Sequence, residues 1–352
     1  MMDMAGGRLR QLVEGMRGQR LLVLGDVVAD EQVVGRAATV AREAPVLVLE
    51  EDERTILPGG ATNAAANAAA LGASVSVCGV LGDDAIGDLL RERLRAAGID
   101  VAGLVVDPAR PTTTKTRIWA GGLQQQVQQL LMRVDRVSRQ PVAGAVLESL
   151  MTRLREGLRP TAGRPGAVVM SDYENGVMHR TAVSEGIALA RQAGAIVVAD
   201  AHSDLLRFKG VTALTPNQPE AEATLGRSIT SPAELDRAGA DLLAGSEAEA
   251  VLMTRGREGM ALYTHDSAPL HLPAQPSSGV ADPTGAGDTV AAVFTLGLAA
   301  GGSSREAAVL ANLAAGVVVA KVGTATVSAG ELLAVVDRWD GPPMVPPRSG
   351  GT

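Results

Sequence analysis

The chain has very few cysteine and aromatic residues, and each shortage excludes a class of protein. Its one cysteine, Cys78, rules out an internal disulfide framework and a cysteine-based metal cluster. Aromatic residues make up only 2% of the 352 positions, too few for the stacking surfaces with which proteins bind single-stranded nucleic acids. Because a single thiol suits a reducing compartment, we expect a cytoplasmic protein.

Long basic runs and long apolar runs are also missing. The formal net charge is −7 and no Lys/Arg run occurs, which argues against a nucleic-acid partner or an anionic membrane surface. The longest apolar run, 307–322, is too short and interrupted to span a membrane. The first 20 residues lack the apolar segment of a secretory signal. The four histidines show no spacing such as HExxH, so a zinc site is not expected.

The composition and the pattern of apolar runs are typical of a globular enzyme in which strands and helices alternate. Hydrophobic residues make up 46% of the chain and charged residues 20%, as in ordinary globular domains. The length allows one large α/β domain or two smaller ones. Short apolar runs alternate with helical segments, which is typical of a parallel sheet built from right-handed βαβ connections. We predict buried strands at residues 21–26, 74–80, 167–170, 196–200 and 213–217.

Two internal segments and the chain ends differ from this pattern. Residues 35–57 and 112–134 alternate like half-exposed strands, and they are predicted to form one small β-sheet, a lid over the main domain. Residues 1–19 are interpreted as an N-terminal arm, and 20–338 as the main domain. The Pro/Gly-rich residues 339–352 are expected to form a disordered tail.

Residues 282–289, Asp-Pro-Thr-Gly-Ala-Gly-Asp-Thr, combine a turn, an anion site and a carboxylate. The apolar run that follows predicts a buried helix, whose free N–H groups and positive dipole end would point at the glycines and attract an anion. Asp288, in the first turn, is placed to take a proton from an attacking hydroxyl. Taken alone, such a segment is more often a glycine-rich turn capped by an aspartate.

Other motifs point to ligand contacts, and each also has a structural explanation. A double glycine, Gly59–Gly60, precedes a helix in which Asn63 either hydrogen-bonds a sugar hydroxyl or serves as the N-cap. Asp30 follows a buried strand, where ligands bind in open α/β sheets, or is a turn or helix cap. Asn217 and Glu220, three apart, either hold Mg²⁺ through water or form a capping box.

The chain lacks both the GxxxxGK[ST] loop of P-loop enzymes and a strand followed by GxGxxG. An anion site, an adjacent carboxylate, a candidate Mg²⁺ site and a lid are nevertheless expected at one edge of the sheet. Together they favour phosphoryl transfer to a hydroxyl, a reaction catalysed mostly by positioning and charge neutralisation.

These motifs resemble the signatures of the ribokinase-like (PfkB) carbohydrate kinases over about residues 20–331. The resemblance implies a three-layer α/β/α sandwich with a mostly parallel sheet and a small β-sheet lid. The matching segments are Gly25–Asp26, Pro58–Asn63, Thr215–Pro216–Asn217 with Glu220, and Asp282–Thr289.

A narrower resemblance is to the D-glycero-β-D-manno-heptose 7-phosphate kinases, the kinase half of a bifunctional protein of ADP-heptose synthesis. It implies phosphorylation of the anomeric hydroxyl of that sugar in lipopolysaccharide precursor synthesis. Since the chain stops at Thr352, the cytidylyltransferase-like second half is expected to be absent. The segments that carry this resemblance include Glu43–Val46, Thr113–Arg117, Ser171–Tyr173 and 311–328.

The resemblance assigns a role to individual residues. Asp288 would be the base, and the N–H groups of Gly285, Ala286 and Gly287 would stabilise the transferred phosphoryl group. Asp30, Gly60 and Asn63 would hold the sugar, and Asn217 and Glu220 would organise Mg²⁺. ATP would be surrounded by Thr254, Arg255, Gly256, Gly259 and Asn312. Whether a monovalent cation near Gly323 assists the reaction stays open. The lid is expected to form a homodimer contact.

The sugar's existing phosphate needs a cationic site of its own. From charge alone, Lys115, Arg117 and Arg133 are candidates for binding it, and the alternative is that they are exposed charges of the lid. Asn175 and His202 stand where the heptose kinases usually have lysine, which puts the sugar in question and leaves another sugar or sugar-phosphate kinase as the alternative. A non-catalytic sensor of the same fold is disfavoured because Asp288 is retained.

Overall fold

A large central sheet organises the chain. The computed structural model describes residues 6–121, 129–159, 166–275, 282–339 and 341. Within these ranges the strands are β1 (Arg20–Gly25), β2 (Val27–Val40), β3 (Leu47–Gly60), β4 (Ser74–Leu81), β5 (Asp100–Val106), β6 (Thr113–Ala120), β7 (Gln129–Arg136), β8 (Ala167–Asp172), β9 (Ile196–Ala201), β10 (Ala213–Leu214), β11 (Ala250–Thr254), β12 (Met260–Thr264) and β13 (Ser267–Leu272). The helices are α1 (Gly6–Gly15), α2 (Ala61–Ala70), α3 (Ala85–Ala96), α4 (Gly144–Gly157), α5 (Arg180–Gln192), α6 (Gln218–Leu225), α7 (Pro232–Ser246), α8 (Ala286–Ala299), α9 (Ser304–Val318) and α10 (Ala329–Val336).

Nine strands form the main sheet in the order β13-β12-β11-β10-β9-β8-β1-β4-β5. All neighbours from β11 to β5 are parallel, and β12 and β13 add an antiparallel hairpin at one edge. The inner strand β1 pairs with β4 and β8, and its Leu21–Leu24 segment is buried. A strand covered on both faces is apolar along its whole length, which is why this run was recognisable in the sequence.

Successive side chains along the strands point to opposite faces of the sheet and pack into two separate hydrophobic cores. Leu21 and Val23 of β1 join the core formed with α1, α2, α3, α8, α9 and α10, whereas Leu22 and Leu24 join the core formed with α4, α5, α6 and α7. Helices therefore cover both faces of the sheet. The predicted three-layer α/β/α arrangement with a mostly parallel sheet is confirmed.

The first described helix belongs to the main core. Leu9, Leu12, Val13 and Met16 of the segment interpreted as an N-terminal arm are each at most 1% exposed, and they pack with α9 and α10 in the first core. Residues 340 and 342–352, which include nearly all of the expected tail, lie outside the described residues. In the part of the chain that the structure covers, no helix has the length and apolar character needed to cross a membrane.

The remaining four strands form the lid, in the order β3-β2-β6-β7. Strands β2 and β3 pair antiparallel from Val27 opposite Gly60 to Val40 opposite Leu47, and β2 also pairs in parallel with β6. Residues 35–57 do not form strands confined to this segment: β3 continues through the charged residues 50–54 and on to Gly60, because it pairs with β2 along its length. Residues 122–128 of the predicted lid lie outside the described residues.

Candidate active site

Asp288 lies in the first turn of α8, buried at the carboxyl ends of the sheet strands. Helix α8 begins one turn earlier than the apolar run suggested, with Gly285 as its N-cap at φ +76°. A Cβ atom at Gly285 would lie 2.5 Å from Asn63 Nδ2, so glycine is required there for space as well as for backbone conformation. Asp288 is only 2% exposed, and this burial raises the pKa of its carboxyl to about 6.

Two neutral donors hold the Asp288 carboxylate. Asn63 Nδ2 donates to Oδ2 and the Tyr173 hydroxyl donates to Oδ1, each at 2.8 Å. Asn63 lies inside α2, whose N-cap is Gly60, so the expectation that Asn63 is the N-cap was wrong. Its side chain contacts the carboxylate because α2 and α8 pack side by side. Tyr173 was not predicted as a site residue.

The loop 282–287 and the start of α8 are the segment predicted to bind an anion, here called the anion loop. Asp282 holds it in place, because its carboxylate accepts the N–H groups of Thr284 at 2.9 Å and Gly323 at 2.8 Å. Ala286 N–H donates to Pro283 O at 3.1 Å. Gly287 is exposed, and a Cβ atom on it would contact nothing within 4 Å. A phosphate has room to approach the first-turn N–H groups on this side.

The lid contributes a buried ion pair beside the site. Asp30 on β2 is paired with Arg117 on β6, and Gln32 Nε2 donates to the same carboxylate at 2.6 Å. Burial raises the pKa of Asp30, and the Arg117 guanidinium partly offsets this effect. The Asp30 carboxylate is therefore already bound by other residues of the lid. One of them is Arg117, which is among the three cations predicted to bind the sugar's phosphate.

The three candidate cations differ in their surroundings. Lys115 on β6 lies with Nζ 4.8 Å from the centre of the Tyr173 ring, makes no ion pair among the described residues, and is attracted by Asp288. Burial, followed by repulsion from Arg133, lowers the pKa of Lys115. Arg133 is half exposed and forms an ion pair with Asp135 of its own strand at 2.9 Å. Lys115 alone has both a position near the base and an uncommitted charge.

Asn217 and Glu220 form a capping box at the start of α6. Asn217 Oδ1 accepts Glu220 N–H at 2.9 Å and Glu220 Oε2 accepts Asn217 N–H at 2.7 Å, while Glu220 Oε1 lies 2.8 Å from His202 Nδ1. Within the described ranges no group of three or more His, Cys, Asp or Glu side chains is arranged to hold a metal ion. These oxygens fit a Mg²⁺ ion that keeps its waters and arrives with nucleotide phosphates, not one bound directly.

Asp200 adds a second buried carboxylate to the site. It lies in β9, accepts a hydrogen bond from Thr215 Oγ1 at 3.1 Å, and is 8% exposed. Burial, together with repulsion by Asp288 and Glu220, raises its pKa to about 7. Asp200 was not predicted as a site carboxylate. Its signal was its place at the end of a predicted parallel strand, beside Tyr173 and Asp26 at the ends of two others.

Asp26 shapes the loop that carries Tyr173. Its buried carboxylate accepts three backbone N–H groups: those of Tyr173 at 2.8 Å, Asn175 at 3.0 Å and Val177 at 3.1 Å. Glu174, between them, has a positive φ of 59°. A single carboxylate at the end of β1 therefore fixes the loop after β8, and the position of the Tyr173 side chain depends on it.

The residues expected around ATP lie at the end of β11, in the turn that follows it, and in the middle of α9. Thr254 bridges to Asn217, Arg255 pairs with Glu258, and the backbone bends at Gly256 (φ +54°) and Gly259 (φ +89°). Asn312 Nδ2 donates to Pro273 O at 2.9 Å. One turn further along α9 is a cavity of ≈ 370 Å³, lined by Gln275, Leu313, Gly316, Val317, Val335, Arg338 and Trp339.

The fold and this site define a class of protein. A buried carboxylate at a glycine-rich helix start, under a β-sheet lid, is the arrangement that the resemblance predicted for a sugar kinase. Residues 4–131 and 167–329 match the pfkB family of carbohydrate kinases, and the chain belongs to this family. It is a phosphotransferase that uses an alcohol group as acceptor, and the family uses ATP with a metal ion.

Among curated proteins, the chain is similar to the bifunctional protein HldE of several bacteria. It is 42% identical to that of Desulfatibacillum aliphaticivorans over 316 residues, which are 90% of this chain and 62% of the relative. The figures for Geobacter metallireducens are 42% over 313 residues, 89% and 62%. The chain thus spans about three fifths of the length of these relatives.

Solved structures share the fold at low sequence identity. The phosphofructokinase-2 of Escherichia coli in complex with potassium superposes with a TM-score of 0.74 and 18% identity, covering 91% of this chain and 99% of that one. The ribokinase of Arabidopsis thaliana complexed with ribose and ATP gives 0.69 and 22%, with the same coverage. The ribokinase-like fold extends over nearly the whole chain.

Proposed function

We propose that the protein is a cytoplasmic, ATP- and Mg²⁺-dependent kinase that phosphorylates the anomeric hydroxyl of D-glycero-β-D-manno-heptose 7-phosphate. The observation that carries the reaction class is the buried Asp288 carboxylate, held by Asn63 and Tyr173 beside the open side of the anion loop. The choice of sugar is supported by the 42% identity to HldE proteins.

In the proposed reaction, Asp288 accepts the proton of the sugar hydroxyl as that oxygen attacks the terminal phosphorus of ATP. The bond from that phosphorus to the oxygen bridging to the next phosphate breaks, and ADP leaves. The N–H groups of Gly285, Gly287 and Asp288, together with the positive end of the α8 dipole, stabilise the transferred phosphoryl group. The Ala286 N–H, which was also predicted for this role, donates to Pro283 O at 3.1 Å. Bound Mg²⁺ supplies charge neutralisation on the phosphates, and Asn217 and Glu220 would hold its waters. Asp30 and Asn63 line the side of the site where the sugar would bind. Asn63 also donates a hydrogen bond to the Asp288 carboxylate, so it contacts the base as well as the sugar.

The nucleotide is proposed to lie along Thr254, Arg255, Gly256, Gly259 and Asn312. The cavity beside Asn312 offers apolar walls from Leu313, Val317 and Val335, which suit the base of the nucleotide. A monovalent cation near Gly323 is proposed as an activator because a potassium complex is known for the Escherichia coli phosphofructokinase-2.

The test is an ATP-consumption assay with Mg²⁺ over a panel of acceptors. The panel contains D-glycero-D-manno-heptose 7-phosphate, free heptose, ribose, fructose 1-phosphate and fructose 6-phosphate. Selective turnover of the heptose phosphate, with a 1,7-bisphosphate product identified by NMR, is the expected result. Preference for an unphosphorylated sugar would reject the heptose phosphate and leave the family-level function.

A second candidate is another sugar or sugar-phosphate kinase of the same family. It is favoured by the cations of the site: Arg117 is neutralised by Asp30, and Arg133 by Asp135. Asn175 and His202 moreover stand where lysines were expected. A site with so few uncommitted cations binds a second phosphate less strongly than one with several, and the same panel separates the two candidates.

Lys115→Ala is expected to raise the KM for a phosphorylated sugar by about 10- to 100-fold, because one charge-assisted contact contributes roughly 1.5–3 kcal/mol. The KM for ATP should change by less than twofold. Steady-state kinetics with both substrates varied measure the two values.

Arg133→Ala is the matched control, since its charge is already paired with Asp135 on the same strand. Its KM for the sugar should stay near that of the wild type. Equal effects of the two substitutions, or an equal effect of Lys115→Ala on ATP, would place the phosphate site elsewhere.

A homodimer through the lid is also proposed. Apolar side chains of the lid are exposed by 43–58%, namely Val40, Val46, Leu47, Leu130, Met132 and Val134. Met132 and Val134 lie two apart on β7 and share one face, whereas a register shift opposite Ile118 and Trp119 interrupts the alternation at Leu130. Exposed apolar side chains grouped on one element mark a protein–protein contact.

The double substitution Met132→Glu with Val134→Glu is expected to convert the dimer into a monomer, because it places charges in an apolar contact. Light scattering after size exclusion should give twice the chain mass of 36.0 kDa for the wild type and the chain mass for the variant. Leu89→Glu on α3, at a position 48% exposed outside the lid, is the control and should remain dimeric. A monomeric wild type would contradict the proposal.

A further inference from the structure

We propose that Tyr173 is a positioning residue for the base: its hydroxyl holds the Asp288 carboxylate in its ionised form and in a fixed orientation. The inference rests on the proposed role of Asp288 in proton abstraction. It adds a residue that neither the glycine-rich motifs nor the similarity to other kinases assigns.

The hydrogen bond runs in one direction only. Tyr173 OH lies 2.8 Å from Asp288 Oδ1, and burial together with the neighbouring carboxylates raises the pKa of Tyr173 well above its usual value. The phenol therefore stays protonated and donates. On the other oxygen, Asn63 can only donate through Nδ2. Both donors favour the charged carboxylate over the protonated one.

Two contacts with the ring and one with the backbone restrain Tyr173. Lys115 Nζ lies 4.8 Å from the centre of the ring, and the His202 ring packs edge-on at 4.3 Å between centroids with an angle of 66°. Its backbone N–H is bound by Asp26 at 2.8 Å. A side chain restrained in this way loses little further freedom when its hydroxyl binds Asp288, so the hydrogen bond is preformed.

Other ionisable groups also face Asp288 and set the background for its titration. Lys115 from β6 and His202 after β9 attract the charge, whereas Asp200 from β9 repels it. Glu220 from α6 lies behind them, bound to His202 Nδ1 at 2.8 Å and repelling Asp200. A substitution at Tyr173 that keeps the ring leaves all four in place, so it isolates the hydroxyl.

Tyr173→Phe removes only that hydroxyl. With the donor lost, the pKa of Asp288 should rise from about 6 by about one unit, since one pKa unit corresponds to 1.36 kcal/mol, the size of one hydrogen bond. Carbon-13 NMR of γ-labelled aspartate in substrate-free protein measures this pKa. Asp288→Asn identifies the signal by its disappearance.

The kinetic consequence is specific to low pH. Because the ionised base is the active form, kcat/KM should rise with pH through about 6 in the wild type and through about 7 in Tyr173→Phe. The variant should therefore lose about fivefold at pH 6 and less than twofold at pH 8.5, as follows from a shift of one pKa unit. The KM for ATP should not change.

Tyr263→Phe is the matched control. Tyr263 is the other tyrosine of the chain, and its hydroxyl donates to Asp236 at 3.2 Å on the far edge of the sheet. This variant should reproduce the wild-type titration and pH profile. Circular dichroism of all variants checks that they are folded.

The outcomes separate this inference from the function on which it rests. An unshifted Asp288 titration in Tyr173→Phe, or an equal loss of activity at every pH, would overturn the role of Tyr173. Full activity of Asp288→Asn would instead show that Asp288 is not the base. Since the NMR titration needs no substrate, it decides the question about Tyr173 whichever sugar the enzyme uses.

Discussion

Asp288→Asn is expected to lower turnover by roughly 10²- to 10⁴-fold, the contribution typical of a positioned general base. The amide has the shape of the carboxylate, and its oxygen can still accept from Asn63 while its NH₂ donates to the Tyr173 oxygen. The fold and the anion loop should therefore persist. Binding of ATP, measured by calorimetry in the presence of Mg²⁺, should remain within about threefold, because neutral contacts of this kind contribute little over one kcal/mol.

The neighbouring carboxylate provides the control for this substitution. Asp282 belongs to the same loop, but its oxygens accept backbone N–H groups of Thr284 and Gly323 and face no substrate in the proposed reaction. Asp282→Asn keeps one acceptor and should lose far less turnover than Asp288→Asn. Near wild-type turnover of Asp288→Asn would show that another group, such as Asp200, accepts the proton.

Asp26→Ala is expected to be the most destabilising single substitution near the site. It leaves three buried N–H groups without their acceptor, and each unsatisfied group costs about 1–3 kcal/mol. Removal of a buried charge offsets part of this, since burial raises the pKa of Asp26 and opposes its ionisation. We expect the free energy of unfolding, measured by thermal unfolding, to fall by about 3 kcal/mol. Activity should also be lost, because the loop that carries Tyr173 is no longer held in place.

Asp100→Ala is the control for stability. The Asp100 carboxylate also accepts a backbone N–H, that of Ala102 at 2.9 Å, but it is exposed to water. Water can replace this acceptor, so the change in the free energy of unfolding should stay within about 0.5 kcal/mol. Similar losses for Asp26→Ala and Asp100→Ala would show that the three N–H groups find other partners.

The main sheet and the anion loop were predictable because their signals are local. A strand buried on both faces is a continuous apolar run, and β1, β4, β8 and β9 were all recognised in this way. The edge strand β5 was not, since it is only partly buried and its sequence mixes apolar and small residues. Helix α7 was also missed, although Ser231 as N-cap and Pro232 in the first turn signal its start.

The pairing of site residues was not predictable, because it depends on contacts between distant segments. Asn63 and Asp288 are 225 positions apart, and only the packing of α2 against α8 assigns the amide to the base. Arg117 and Asp30 are 87 apart, and the parallel register of β2 and β6 sets Arg117 opposite Gln32, on the same face as Asp30 and close enough for an ion pair. The charges of Lys115, Arg117 and Arg133 suggested phosphate binding, whereas side-chain contacts in the folded lid determine which of these charges is paired.

The continuity of β2 and β3 has a consequence for how the lid can vary. Strand β2 starts and β3 ends within the main domain, where Val27, Val28 and Ala29 are buried and Gly60 leads directly into α2. Excision of the lid would cut the chain inside the core and release the helix that carries Asn63. Insertions and deletions are tolerated only where few contacts hold the backbone. Among the described residues of the lid, we therefore expect changes in length to be tolerated at the outer turn, residues 41–46, where the chain is largely exposed.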